Sequence, residues 1–133
     1  MRQKEYRRDY ILPPDDTEYL NNTFPGWESI EGGWVLIPNY PLPAGFTVAH
    51  TTVAIQIPPA YPEGQLDMAY FYPSVLRADG KHIPNTDVMQ TIDGKAFQRW
   101  SRHYLPGSWR PNIDNIATHL LAVDGWFERA LEG

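Results

Sequence analysis

The chain contains no cysteine. That one absence removes disulfides, thiolate metal sites and thiol nucleophiles together, and it leaves the redox compartment undetermined. Positive charge is also scarce. Eleven Lys and Arg against sixteen Asp and Glu give a formal net charge of −5, whereas nucleic-acid binding needs clustered cations to meet phosphates. No apolar run approaches the length of a membrane span or a signal-peptide core, so a cytoplasmic protein without membrane contact is expected. The four histidines stand at positions 50, 82, 103 and 119. No two are at zinc-ligand spacing, so no metal is expected, and no Gly-rich phosphate loop or Gly-x-Ser-x-Gly elbow points to a cofactor or a hydrolase.

What the chain does have is aromatic residues, proline and glycine. Its 133 residues predict one domain spanning 1–133, and 42% hydrophobic content is enough to fold it without staples. Thirteen Pro and ten Gly argue for short elements and many turns and against a helical bundle. Positions 1–14 read as a basic tail. Within it Arg2, Lys4, Arg7 and Arg8 are either a frayed end or a docking patch for an acidic partner.

Along the chain, Pro13-Pro14-Asp15-Asp16 caps a short helix through Thr17 to Asn22. Trp27 to Glu31 and Trp34 to Ile37 flank Gly32-Gly33, which predicts a hairpin with a two-residue turn. Val53, Ile55 and Ile57 alternate with Ala54 and Gln56, the period of a half-buried strand that Pro58-Pro59 stops. Leu66 to Val75 reads as a fourth strand. No period holds from Leu76 to Phe97, where Gly80, Pro84 and Gly94 predict a long irregular loop of functional type. Pro111-Asn112 then opens a helix carrying Ile113, Ile116, Leu120, Val123 and Phe127 on one stripe, with Trp126 beside it. His50 and His119 fall in a strand and a helix and read as packing or surface residues.

One stretch concentrates chemistry: Ser101, Arg102, His103, Trp109 and Arg110 lie within a short Gly/Pro-interrupted segment. A serine hydroxyl can accept an acyl group if a base removes its proton. His103 is two residues on, and in an extended segment such a pair shares one face. Asp15, Asp16 and Asp67 form no defensible carboxylate pair.

Motif order sharpens this. Pro58 and Tyr61-Pro62 after the third strand, His82-Ile83-Pro84-Asn85, Trp109-Arg110-Pro111 and the helix Ile113 to Phe127 together resemble the ubiquitin-conjugating (UBC) family. That family follows strand three with Pro-x-x-Tyr-Pro, strand four and His-Pro-Asn. Next come the catalytic cysteine and, roughly eight residues later, a Trp-x-Pro that opens a helix. Counting back eight residues from Trp109 reaches Ser101. The resemblance covers about residues 27–131. Its departures are one residue inserted in the His-Pro-Asn motif, a longer stretch from Asn85 to Ser101, no further C-terminal helices and no cysteine. They bring the chain closest to a cysteine-lacking bacterial branch that accompanies multi-ubiquitin-like, activating-enzyme-like and JAB-peptidase-like proteins.

The resemblance implies an α+β, UBC-like fold, with a four-stranded antiparallel meander packed on a C-terminal helix and a short helix before it. It also implies partners: a ubiquitin-like protein and an activating-enzyme-like protein. In that frame Ser101 would carry the acyl group as an oxyester, His103 would act as base, and Asn85 would donate to the oxyanion. His82 would orient its loop, Arg102 or Arg110 would hold the tail, and Trp109 would anchor its loop. The alternative is a catalytically inactive variant that binds or scaffolds without forming a bond. An oxyester is less reactive toward amines than a thioester, so both readings stand at this level.

Overall fold

Six strands, not four, build the sheet. The structure is a computed structural model in which residues 5–132 are described; Arg2 and Lys4 of the basic patch lie outside them. The elements run α1 (Pro14–Thr23), β1 (Glu28–Ile30), β2 (Trp34–Pro41), β3 (His50–Gln56), β4 (Ala69–Tyr72), β5 (Val88–Ile92), β6 (Lys95–Trp100) and α2 (Ile116–Ala130). The sheet order is β1-β2-β3-β4-β6-β5, with every neighbouring pair antiparallel.

The two added strands come from the segment expected to be an irregular loop. Ile92 pairs with Lys95 across Asp93-Gly94, and both turn residues take positive φ, 52° and 75°. That is the geometry of the tight hairpin turn that Asp-Gly favours. The strands lack a legible period because Val88 and Met89 are half exposed while Phe97, Gln98 and Trp100 are all buried. The first hairpin differs too. Ile30 pairs with Trp34, so Glu31-Gly32-Gly33 forms a three-residue loop.

Both faces of the sheet are apolar, and alternation divides them. Val35, Ile37, Val53, Ile55 and Phe71 face the main core, where Ile116, Leu120, Val123 and Phe127 of α2 meet them. Phe127 sits 5.3 Å from Phe71 and 5.4 Å from Trp100, ring centre to ring centre. The opposite face gathers Ile30, Trp34, Leu36, Ala54, Tyr70, Ile92 and Phe97 into a second cluster. Arg7 reaches Glu28 at 3.0 Å and Asp93 at 2.8 Å. Those two residues come from the first strand and the last hairpin, so the sheet curls until its extremes meet over this face.

The basic stretch is therefore not a loose tail where it is described. Asp9 N–H donates to Ser29 O, Ser29 N–H donates to Arg7 O, and the Arg8 guanidinium lies 3.7 Å from the Trp27 ring centre.

Helix α2 begins later than expected, at Ile116. Asn115 caps it in a reciprocal box with Thr118: the Asn115 side chain accepts from Thr118 N–H at 3.1 Å and the Thr118 hydroxyl accepts from Asn115 N–H at 2.9 Å. Ile113 lies in the preceding turn, 55% exposed, and leaves the apolar stripe. Helix α1 reaches across to this start. Asp16, 2% exposed, accepts from Ile116 N–H at 3.2 Å and from the Tyr61 hydroxyl at 2.6 Å. Among the described residues no helix is long and apolar enough to cross a membrane.

Candidate functional site

Ser101 stands immediately after β6, half-buried, where the strand leaves the sheet. Its N–H donates to the Asn85 carbonyl at 2.9 Å. The His82–Asn85 loop and the serine are thus brought together, through backbone rather than through the Asn85 amide. Asn85 takes φ of 65°, a conformation Asn tolerates better than most residues, and its side chain is exposed. Ile83 is buried beneath the loop, whose Thr86 hydroxyl donates to the Ile83 carbonyl at 2.6 Å. His82 is paired at 2.7 Å with Asp87, both well exposed, which pins the loop locally.

Among the described residues the Ser101 hydroxyl has one hydrogen-bonding contact, a 3.9 Å approach to the Met68 sulfur. No base touches it. His103 points its Nδ1 at Asp67 Oδ2, 2.6 Å away. Asp67, which the sequence sets in no carboxylate pair, therefore supplies the carboxylate of an imidazole–carboxylate pair. The Nε2 of His103 has no hydrogen-bond partner among the described residues, so it is the ring nitrogen left to act as a base.

A buried relay fixes the backbone beneath. Met68 N–H donates to Arg102 O at 3.0 Å, and Met68 takes φ of 55°. His119, fully buried on α2, bridges Met68 O at 2.8 Å and the Tyr104 hydroxyl at 2.6 Å. Carbonyl oxygen can only accept, so Nε2 donates to Met68 and Nδ1 accepts from Tyr104. Burial lowers the His119 pKa, against the smaller opposing effect of its bond to Met68, and the ring stays neutral. The sequence reads His119 as a packing or surface residue; the structure buries it and gives it two hydrogen bonds. Its place three residues after Ile116 on the apolar stripe is the signal that put it inside.

Trp109 anchors its loop, donating its indole N–H to Pro62 O at 3.0 Å with its ring near Tyr61 and Tyr104. Arg110 lies apart from the serine, its N–H on Asp114 at 2.8 Å and its guanidinium loosely paired with the same carboxylate. Arg102 turns the other way, 5.8 Å from the Trp126 ring centre. It lines a cavity of about 500 Å³ shared with His82 and Asn85.

The model of prokaryotic E2 family E matches residues 12–130. The chain belongs to that family. As a member of the UBC-like E2 superfamily it has the α+β architecture expected, with a six-stranded rather than a four-stranded sheet. No curated protein and no solved structure gives a match. This E2-like chain has no thiol anywhere, so a thioester cannot form on it. The Ser101 hydroxyl at the end of β6 lies against a thioether, in a half-buried segment tied through Tyr104 to the buried His119.

Proposed function

We propose that this E2-like protein holds the C-terminal tail of a ubiquitin-like protein without forming a bond to it, and acts as a binding or scaffolding module beside an activating-enzyme-like protein. The observation that carries this reading is the setting of Ser101. Its hydroxyl contacts Met68 sulfur at 3.9 Å, and the imidazole of its own segment is hydrogen-bonded to Asp67 instead. A serine without a base is a poor nucleophile near neutral pH. The surroundings remain suited to holding a chain: an 82–85 loop bonded through Asn85 O to the Ser101 N–H, a cationic cavity lined by that loop, and a Trp109 anchored on Pro62.

One observation favours the covalent alternative. The Asp67–His103 pair orients the imidazole as a carboxylate does in a catalytic triad, leaving Nε2 free. If the 101–103 segment brought Nε2 to the hydroxyl, Nε2 would take the proton as Ser101 Oγ attacked an activated acyl carbon and the leaving group departed. The product would be an oxyester.

Incubation with ATP, an activating-enzyme-like protein and a ubiquitin-like protein of the same genome separates the two. The non-covalent reading expects co-elution of the ubiquitin-like protein with an unmodified chain. An adduct that survives thiol reductant, is cleaved by hydroxylamine and disappears in Ser101→Ala would establish the oxyester.

A further inference from the structure

The segment after β4, the 82–85 loop, the end of β6 and the C-terminal turn of α2 enclose the cavity of about 500 Å³; Trp100 and Arg102, the chain neighbours of Ser101, line it, while the Ser101 hydroxyl points away toward Met68. For a chain of net charge −5 its lining is unexpectedly cationic: Arg77, Arg102 and Arg129 face it together with Lys81 and His82. Some of that charge is committed. Arg77 is paired with Asp79 at 2.6 Å and donates to Ala130 O at 2.7 Å, and His82 is on Asp87.

Arg102 and Arg129 are different. Among the described residues neither has a carboxylate within ion-pair distance. Burial, and then the charge of Arg129, lower the Arg102 pKa. Two guanidinium groups that disfavour each other's charge are stabilised by an anion placed between them. A second observation points the same way. Trp100 is 1% exposed and lines this cavity, yet its indole N–H has no acceptor among the described residues. Buried donors are nearly always satisfied. With the exposed Asn85 amide, the wall is rich in donors; its acidic member is Glu132, exposed at the rim.

We propose that this cavity is an anion site that takes the free C-terminal carboxylate of the bound tail, between Arg102 and Arg129, with the exposed Asn85 amide as a further donor and Trp100 in its wall. The inference rests on the non-covalent reading above and gives it a physical mechanism. A tail that is never esterified keeps its negative charge, and the Arg102 and Arg129 guanidinium groups of this cavity, reached along the 82–85 loop whose Asn85 carbonyl holds the Ser101 N–H, are where that charge can be met. Two planar guanidinium groups suit a planar two-oxygen anion, which accepts paired N–H bonds.

The test uses the isotopically labelled chain and acetyl-triglycine as free acid or as amide, followed by NMR. The acid should shift the Trp100 indole and Asn85 side-chain signals saturably, and bind at least about tenfold tighter than the amide, the scale of one charge-assisted pair. Arg102→Gln with Arg129→Gln should abolish the preference, while Lys95→Gln on the distant hairpin keeps it; dispersed spectra confirm that each variant is folded. Equal shifts from acid and amide would overturn the proposal. So would saturation of the cavity by inorganic phosphate with no response to the acid. The same comparison with the whole ubiquitin-like protein keeps the two claims apart. If acid-tailed and amidated forms bind alike, the anion site falls and the binding reading stands; if neither binds, the binding reading falls too.

Discussion

At the scale of single residues, His119 carries the most consequence for the least visible signal. Its ring is neutral, fully buried and bonded on both nitrogens, so it couples α2 to Met68 and to the segment after Ser101. Its folded pKa lies below the ordinary value of 6.5, so the unfolded chain binds the proton more readily. The resulting stability is present above pH 6.5 and is lost as pH falls through that value toward the folded pKa. Urea melts at pH 7.5 and 5.5 should show the wild type weakening on acidification and His119→Leu weakening much less. The variant should also lose about 2–4 kcal/mol at pH 7.5, because the Met68 carbonyl and Tyr104 hydroxyl lose their shared partner. Asp16 works in the opposite sense and in a more acidic range. Burial raises its pKa above the ordinary 3.8, against its bonds from Tyr61 and Ile116, and it remains in both proteins, so the difference between them reports His119.

Ser101, Asn85 and Arg102 were legible as neighbours because spacing to Trp109 and motif order placed them. The partner of His103 was not. Asp67 lies 36 positions away, and nothing in local pattern says which carboxylate a surface imidazole will meet. Arg110 and Arg102 looked interchangeable in sequence, yet one is held by Asp114 and the other lines the cavity.

Elements were legible where hydrophobic period was strong and missed where turn chemistry alone marked them. The alternation at 53–57 and the stripe of α2 announced β3 and the helix. β5 and β6 were announced only by Asp93-Gly94, because one edge strand half exposed and one strand buried on both faces leave no alternation. Likewise Pro111 suggested a helix start that Asn115 and Thr118 provide. Gly33 takes φ of 79°, and a Cβ there would lie 2.9 Å from Ile57 O, the carbonyl of the residue whose N–H binds Gly33 O. Gly33→Ala should cost about 1–3 kcal/mol by denaturant titration, since strain and contact act together. Asp16→Ala removes the acceptor that joins α1 to the first turn of α2 and to Tyr61. Its cost should be about 1–3 kcal/mol, with amide exchange fastest in the first turn of α2.

For the whole molecule, charge is the useful quantity. The net charge of −5 discourages anionic partners in general, while the Arg102–Arg129 cavity attracts one anion locally. Tail binding should therefore weaken as salt rises from 0.05 to 0.5 M, while binding of an amidated tail changes little; titration calorimetry would read the difference. The family assignment and the order of motifs were legible along the chain, because a UBC-like sheet and helix leave a linear trace. The curl of the sheet was not, since it depends on Arg7 joining Glu28 to Asp93, which lies 86 positions from it.

The proposed non-covalent role stands or falls on whether Ser101 ever carries an acyl group. Intact mass after a charging reaction with activating-enzyme-like and ubiquitin-like proteins decides this, with wild type and Ser101→Cys side by side. The expected result is an unmodified wild-type chain and a reductant-sensitive adduct on the cysteine variant, because a thiolate needs no neighbouring base near neutral pH. A hydroxylamine-sensitive adduct on the wild type, lost in Ser101→Ala, would contradict it.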